Sequence, residues 1–313
     1  QSYYIFFVKF KNHSKIYYLL LLKIYVMPKK SSKADASVPK FIVFTGQFLN
    51  WISPFLAEKY ARELFITPIR HKIPKREFHM EAESVQTKLV VPSIKKEIVV
   101  YSYGNSDKKI LLVHGWSGRG TQLVKIADAF IEKGYSTISF DAPAHGKSGT
   151  KTTLMLEFIE SVLEIEKAYG PFEFAIGHSL GGMSILNAIK KGLQVKKAVV
   201  VGSGNSVINI VNTFVEKIGL PNKVAIIMRN SFEKKYQFDM ESFSGYVAAK
   251  EVKVPVLVIH DNDDEDIPVS EAHHLAENLS HKEILITNNL GHRKILGDST
   301  VINKIIEFLL IKK

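Results

Sequence analysis

The pentapeptide Gly177-His178-Ser179-Leu180-Gly181 restricts this chain more than any other stretch. It follows the short apolar run Phe174-Ala175-Ile176 and leads into a helical pattern, so it reads as a strand, a one-residue hinge and a helix start. A turn that tight forces its central residue into a strained backbone conformation, with the side chain standing above the sheet edge. Positions two before and two after the centre crowd the strand and helix, and here both are glycine. The same geometry leaves the Leu180 N–H at a helix N-terminus, facing any anion that forms beside Ser179.

At 313 residues the chain can bury one large core plus an accessory segment. It has no cysteine, which excludes disulfides, thiolate metal sites and a cysteine nucleophile, and suits a reducing cytoplasm. The net charge of +11 is unevenly placed: residues 1–40 hold eight lysines against Asp35 alone. A nucleic-acid binder would carry its basic stripe on the folded domain, so no nucleic-acid partner is expected. The apolar run from Ile16 to Met27 is shorter than the roughly 20 residues of a membrane span and contains Lys23. It also lacks the small-residue cleavage site of a signal peptide. Met27 is the expected start, with 1–26 an upstream extension and Lys29 to Lys40 a polar tether. Residues 1–40 are thus read as a disordered or extraneous basic extension, and membrane contact is expected only through residues 1–66.

Residues 41–79 read as a helical flap and connector. Ser53-Pro54 supplies an N-cap and a first-turn proline, and Ile52, Phe55, Leu56, Tyr60, Leu64 and Phe65 recur at helical spacing, a stripe expected to lie over the core. Arg70 to Arg76 is expected to be a solvated loop. Two leading strands follow, Lys88–Val91 and Glu97–Tyr101. The chain then alternates buried strands (109–113, 136–140, the elbow strand, 198–201) with helices (121–133, 152–169, 180–191). Such alternation implies right-handed β-α-β units and a mostly parallel sheet with helices on both faces, an α/β fold. The rhythm breaks at Gly202-Ser203-Gly204, and 205–250 reads as a helical cap insertion with helices at 207–215, 223–228 and 240–249. It resumes with strand 254–259, helix 269–279, strand 283–286 and a closing helix 300–311. The core is therefore 80–204 with 251–313.

A serine hydroxyl needs a base to take its proton and a third group to orient that base. The loop after strand 254–259 offers His260-Asp261-Asn262-Asp263-Asp264-Glu265-Asp266-Ile267-Pro268, and the loop after 283–286 offers Gly291-His292. With Ser179 they give the order Ser…Asp…His. Here the chain resembles the α/β-hydrolases, specifically the cap-bearing serine esterases, lipases and aminopeptidases. Their acid loop, H-G-x-x-D-x-x-V-P, lies on His260 to Pro268 and puts the acid at Asp264, with Asp261 in place of glycine. Their terminal G-H lies on Gly291-His292. The resemblance thus implies Ser179, Asp264 and His292 as the catalytic set, and Asp261, Asp263 and Asp266 are expected to be solvated. A calcium loop would need a central glycine and a closing glutamate, where the chain has Asp266 and Ala272.

The family's H-G-x loop lies on His114-Gly115-Trp116 and implies the Trp116 N–H as the second oxyanion donor beside Leu180. His114 is expected to buttress that loop, and His114 and His178 to border the substrate pocket. Asp141 to Ser148 resembles the family's D-x-x-G-x-G-x-S loop, with Ala144 where glycine is usual. The implied activity is cofactor-free and metal-free hydrolysis of a carboxylic ester or related acyl substrate. Aminopeptidase, thioesterase and acyltransferase chemistry remain alternatives on the same scaffold, as do a non-catalytic binder and a membrane-associated lipase. For a peptidase, Glu216, Glu233, Asp239 and Glu241 are the carboxylates in reach of the cap.

Overall fold

The computed structural model describes residues 38–311, so the basic extension 1–40 lies outside the described residues except for its last three positions. Two helices come first, α1 (Lys40–Ile52) and α2 (Pro54–Ile66), then a short α3 (Phe78–Glu83). The hairpin β1 (Val85–Val91) and β2 (Lys96–Tyr103) follows. Alternation then sets in with β3 (Lys109–Val113), α4 (Val124–Ile131), β4 (Ser136–Asp141), α5 (Met155–Tyr169), β5 (Phe174–His178), α6 (Leu180–Lys190) and β6 (Lys197–Val201). Three helices interrupt it: α7 (Val207–Lys217), α8 (Asn222–Tyr236) and α9 (Gly245–Ala249). It resumes with β7 (Val256–Asp261), α10 (Val269–Glu277), β8 (Lys282–Thr287), the single turn α11 (Gly291–Lys294) and α12 (Ser299–Leu310). No helix among the described residues is long and apolar enough to cross a membrane.

The eight strands form one sheet in the order β1-β2-β4-β3-β5-β6-β7-β8. The first two pairings, β1 with β2 and β2 with β4, are antiparallel, and the other five are parallel. Side chains alternate across each parallel strand, as the two-residue period requires. Leu111 and Val113 face one core layer with Phe158, Ile159 and Leu186 from α5 and α6. Ile110 and Leu112 face the other, with Ile126, Phe130, Ile305 and Phe308 from α4 and α12. Burial on both faces explains why these strands read as unbroken apolar runs. The parallel strands all point one way, which gathers the loops after β3, β5, β6, β7 and β8 along one edge.

A third apolar cluster lies off the sheet. It joins α2 to the inserted helices through Ala57, Ala61, Val211, Val215, Met228 and Phe232. This corrects the expected stripe on α2. Ile52, Phe55 and Leu56 are exposed, and the packed line is Ala57, Ala61 and Phe65. Helical spacing alone cannot choose between two apolar faces; the close approach of α2 to α8 selects the one lined by alanine. α8 also runs well past residue 228, since Phe232, one turn beyond buried Met228, is buried too.

Candidate active site

Ser179 sits between β5 and α6 at φ 53° and ψ −120°, a conformation outside the favoured regions for a residue with a side chain. The flanking glycines have steric causes. A Cβ on Gly177 would lie 2.5 Å from the Gly181 carbonyl oxygen, and one on Gly181 would collide with the Val113 carbonyl. Gly115 is tied to the same point, because its Cβ would come within 2.9 Å of the Ser179 Cβ. The loop after β3 therefore passes directly over the serine. Among the described residues, neither the Trp116 N–H nor the Leu180 N–H donates to a protein acceptor.

Asp264 and His292 meet at this edge, with Asp264 Oδ2 2.7 Å from His292 Nδ1. The other carboxylate oxygen accepts the N–H groups of Asp266 and Ile267, each at 2.9 Å. Burial alone would raise the Asp264 pKa, but the His292 hydrogen bond, its charge and the Ile267 N–H together hold it below the usual carboxylate range. The carboxylate is thus ionised, and the His292 Nδ1 carries the proton that it accepts. His292 is seated on the residue before the serine: its ring centroid is 4.6 Å from that of His178, and His178 Nε2 donates to the His292 carbonyl at 2.9 Å. No hydrogen bond joins the Ser179 hydroxyl to His292 among the described residues. Such bonds are commonly long or poorly aligned before substrate binds.

Asp261 corrects an expectation. It is fully buried rather than solvated, and it clamps the loop that carries His292. Its Oδ2 accepts Thr287 Oγ1 at 2.6 Å and Leu290 N at 3.2 Å, while its Oδ1 accepts Gly291 N at 3.0 Å. Burial again pushes its pKa up, and these donors outweigh that and hold it low. Asp263 adds a bond to the Asn289 N–H at 2.7 Å. The signal was present in the sequence as a carboxylate standing where glycine is usual, but only the fold brings residues 287–291 within its reach.

His114 and His178 are also corrected: neither lines the cavity at the site. Both are buried behind it; backbone atoms of the adjoining loops pair both ring nitrogens of His114 but only Nε2 of His178. His114 accepts the Ala142 N–H at 3.1 Å through Nε2 and donates from Nδ1 to the Gly115 carbonyl at 2.6 Å. Burial pushes its pKa down to about 4. Burial and the neighbouring His292 push His178 to about 3. His145 is a third such histidine, at about 3 from burial and the nearby His114, and it accepts the Ser117 N–H at 3.0 Å. Three neutral imidazoles thus buttress the loops around Ser179. Arg70, expected in a solvated loop, instead donates to the carbonyls of Ala144, Ser148 and Thr150. It steadies a segment in which Ala144 takes φ 66°, where glycine would be unstrained.

Above the serine lies a cavity of about 520 Å³ bordered by Ser179, Leu180 and Trp116. Its walls are mostly apolar, with Leu154, Met183, Ile210, Phe214, Phe238 and Ile267 among them, and Phe65 of α2 closes one side. Of the four carboxylates considered for an amine site, Glu216 borders the cavity. The others bond elsewhere: Glu233 accepts the Met240 N–H, Asp239 the Glu241 N–H, and Glu241 the Ser206 and Tyr246 hydroxyls.

Sheet order and the loops collected at its edge define an α/β hydrolase. A family model of the alpha/beta hydrolase fold matches residues 108–218, and one of the prolyl oligopeptidase family matches residues 173–308. A search of curated proteins finds no match to this sequence. Among solved structures, an esterase from Pyrococcus furiosus superposes with a TM-score of 0.61 at 17% identity, covering 78% of this chain and 98% of that one. A putative lipase from Acinetobacter baumannii gives 0.57 at 20% identity over 77% and 97% of the two chains. A bromoperoxidase from Bacillus anthracis gives 0.55 at 15% identity over 72% and 99%. At these identities the likeness is one of fold. The chain thus has the α/β-hydrolase fold, with both family-model matches lying within it.

Proposed function

We propose that this protein is a serine hydrolase that cleaves carboxylic esters with an apolar acyl group, through an acyl-enzyme. The observation that carries the reading is the 2.7 Å bond between buried Asp264 and half-buried His292, seated on the residue next to a serine held at φ 53° at the floor of an apolar cavity. In this reading His292 Nε2 takes the Ser179 proton as the hydroxyl oxygen attacks the carbonyl carbon. Asp264 keeps the proton on Nδ1 and stabilises the imidazolium. The carbonyl oxygen becomes an oxyanion held by the Leu180 and Trp116 N–H groups, each such donor contributing on the order of 3 kcal/mol. Collapse expels the alcohol, which receives the proton from His292. Water, deprotonated by the same imidazole, then releases the acid and restores Ser179. The acyl chain lies against Phe214, Phe238 and Ile210, where burial contributes about 25 cal/mol per Å².

A second reading, a peptidase, is favoured by the prolyl oligopeptidase family match and by Glu216 at the cavity wall. The test is a p-nitrophenyl ester series of increasing acyl length run beside aminoacyl-anilides, with labelling by a fluorophosphonate probe. Ester turnover and labelling that both vanish in Ser179→Ala are expected. Faster anilide cleavage would select the peptidase. Folded wild-type protein that takes no label would overturn both readings and favour a non-catalytic binder.

A further inference from the structure

Residues 1–76 hold 14 lysines and arginines against three carboxylates, whereas residues 77–313 hold 28 of each sign. The whole net charge of +11 therefore lies at one end of the chain. The described part of that end is α1, α2 and the connector after them. α1 is apolar on two faces. Its inner face, with Ile42, buried Gly46 and Leu49, packs on the inserted helices; a Cβ on Gly46 would stand 3.4 Å from the Leu220 side chain. Its outer face carries Phe41, Phe44, Phe48 and Trp51 at alternating spacings of three and four. One line of a helix results, and every member is exposed: Phe41 69%, Phe44 71%, Phe48 50% and Trp51 81%. Phe55 continues the exposed aromatic surface at the start of α2, at 69%. Four exposed aromatics on one helix line form a contiguous patch, which soluble monomers rarely leave uncovered.

We propose that this face docks the protein on an anionic lipid bilayer, with Phe44, Phe48 and Trp51 entering the headgroup boundary. Aromatic rings suit that boundary, being apolar bodies that tolerate a wet edge. Charge selects the occupant. The 37 residues before Val38 carry seven lysines and Asp35, and they end one turn from Phe41. A second copy would bring another +11 to the contact, and an apolar segment of the chain folding back on the stripe would leave those lysines without a partner. An anionic surface satisfies the rings and the charges together. α2 connects this face to the cavity, since Phe65, ten residues after Phe55, forms part of its wall. Docking would thus hold the roof of the cavity at the lipid. The proposal is independent of the esterase reading, because binding is measured without turnover.

The experiment is flotation of the full-length chain with phosphatidylcholine vesicles, with and without phosphatidylglycerol, at low and high salt. Binding to the anionic vesicles is expected, with a blue shift of Trp51 emission that is absent in Trp51→Phe. A Phe44→Ser/Trp51→Ser variant is expected to bind about tenfold or more weakly, while its circular dichroism stays that of the wild type, since both side chains are exposed. Raised salt should also release the protein. Absence of binding to either vesicle would overturn the proposal, and so would binding that the double substitution leaves unchanged. A wild-type dimer in solution that the double substitution turns into monomer would assign the face to a second copy instead.

Discussion

At the carboxyl edge of the sheet, the carboxylates of Asp261 and Asp264 each accept several specific hydrogen bonds, whereas the wall across the cavity is made mostly of apolar side chains. On the first side Asp264 accepts from His292, Asp266 and Ile267, and Asp261 accepts from Thr287, Leu290 and Gly291. On the second, Phe65 meets Phe214 edge-on with ring centroids 5.1 Å apart, and Phe232 lies 6.1 Å from Phe65. Chemistry that moves a proton needs atoms held to fractions of an ångström, and charged hydrogen bonds in a buried setting do that. Excluding water and gripping an acyl chain needs only volume and apolarity, which several packings can supply. Substitutions on the two sides should therefore fail differently.

The largest effect belongs to the edge. Ser179→Ala should lower ester turnover by about 10⁴-fold or more with the fold intact, since alanine meets the same φ of 53° as serine. Steady-state rates beside a thermal melt check both halves. Retained turnover would place the reaction elsewhere and dissolve the contrast.

Acid should expose the same side next. His114, His145 and His178 are held neutral, with pKa values near 4, 3 and 3 against an ordinary value near 6.5. The unfolded chain therefore binds more protons below pH 6.5 than the folded one. The stability they confer is complete above that pH and is lost as pH falls towards 3, at about 1.4 kcal/mol per unit for each histidine. Asp264 and Asp261, held low when folded, lose theirs in the same direction as pH falls through their folded values. Melting temperatures measured from pH 7 to 4 should fall steeply, and substitution of His145 by an uncharged isostere such as Gln should flatten the curve. A flat wild-type profile would mean that these rings are hydrated.

Asp261→Asn comes third. The amide would aim an N–H at either the Thr287–Leu290 side or the Gly291 side, breaking at least one charge-assisted bond at a cost of about 1.5–3 kcal/mol. The loop would loosen and His292 with it. We expect kcat to drop by about one order of magnitude with KM nearly unchanged, because Asp261 touches no part of the cavity lining. An equal rise in KM would mean that the residue shapes binding and not the base.

How much could be read in advance follows the same division. The elbow was legible from its glycine spacing, and the Asp264–His292 contact lies where the family resemblance placed those two residues. The strand positions along the chain followed from apolar runs of the right length. Asp261 was misread because its partners lie 26 to 30 residues away, a distance that spacing rules do not cross. His178 was expected at the pocket border because it stands next to Ser179, but it is buried behind the cavity wall as a neutral prop. On the apolar side, a period of 3.6 marked helices correctly but not which face they turned inward. Ala57 and Ala61, the residues that settle the matter for α2, stood outside the stripe read from the spacing of larger side chains.

The smallest effect should come from the apolar wall. Phe214 touches the cavity and the Phe65 ring, and both neighbours are side chains able to shift. Phe214→Ala removes wall area without stranding any polar group, so the catalytic edge should be untouched. For octanoyl esters, kcat/KM is expected to fall by about fivefold to tenfold, a loss of the size that a few methylene contacts carry. For acetyl esters, which leave most of the cavity empty, it should change by less than about twofold. The ratio of the two is the informative quantity, since global loosening would lower both alike. A uniform loss would mean that the wall also fixes the position of Ser179 through α6, and the two sides of the cavity would then be one mechanical unit.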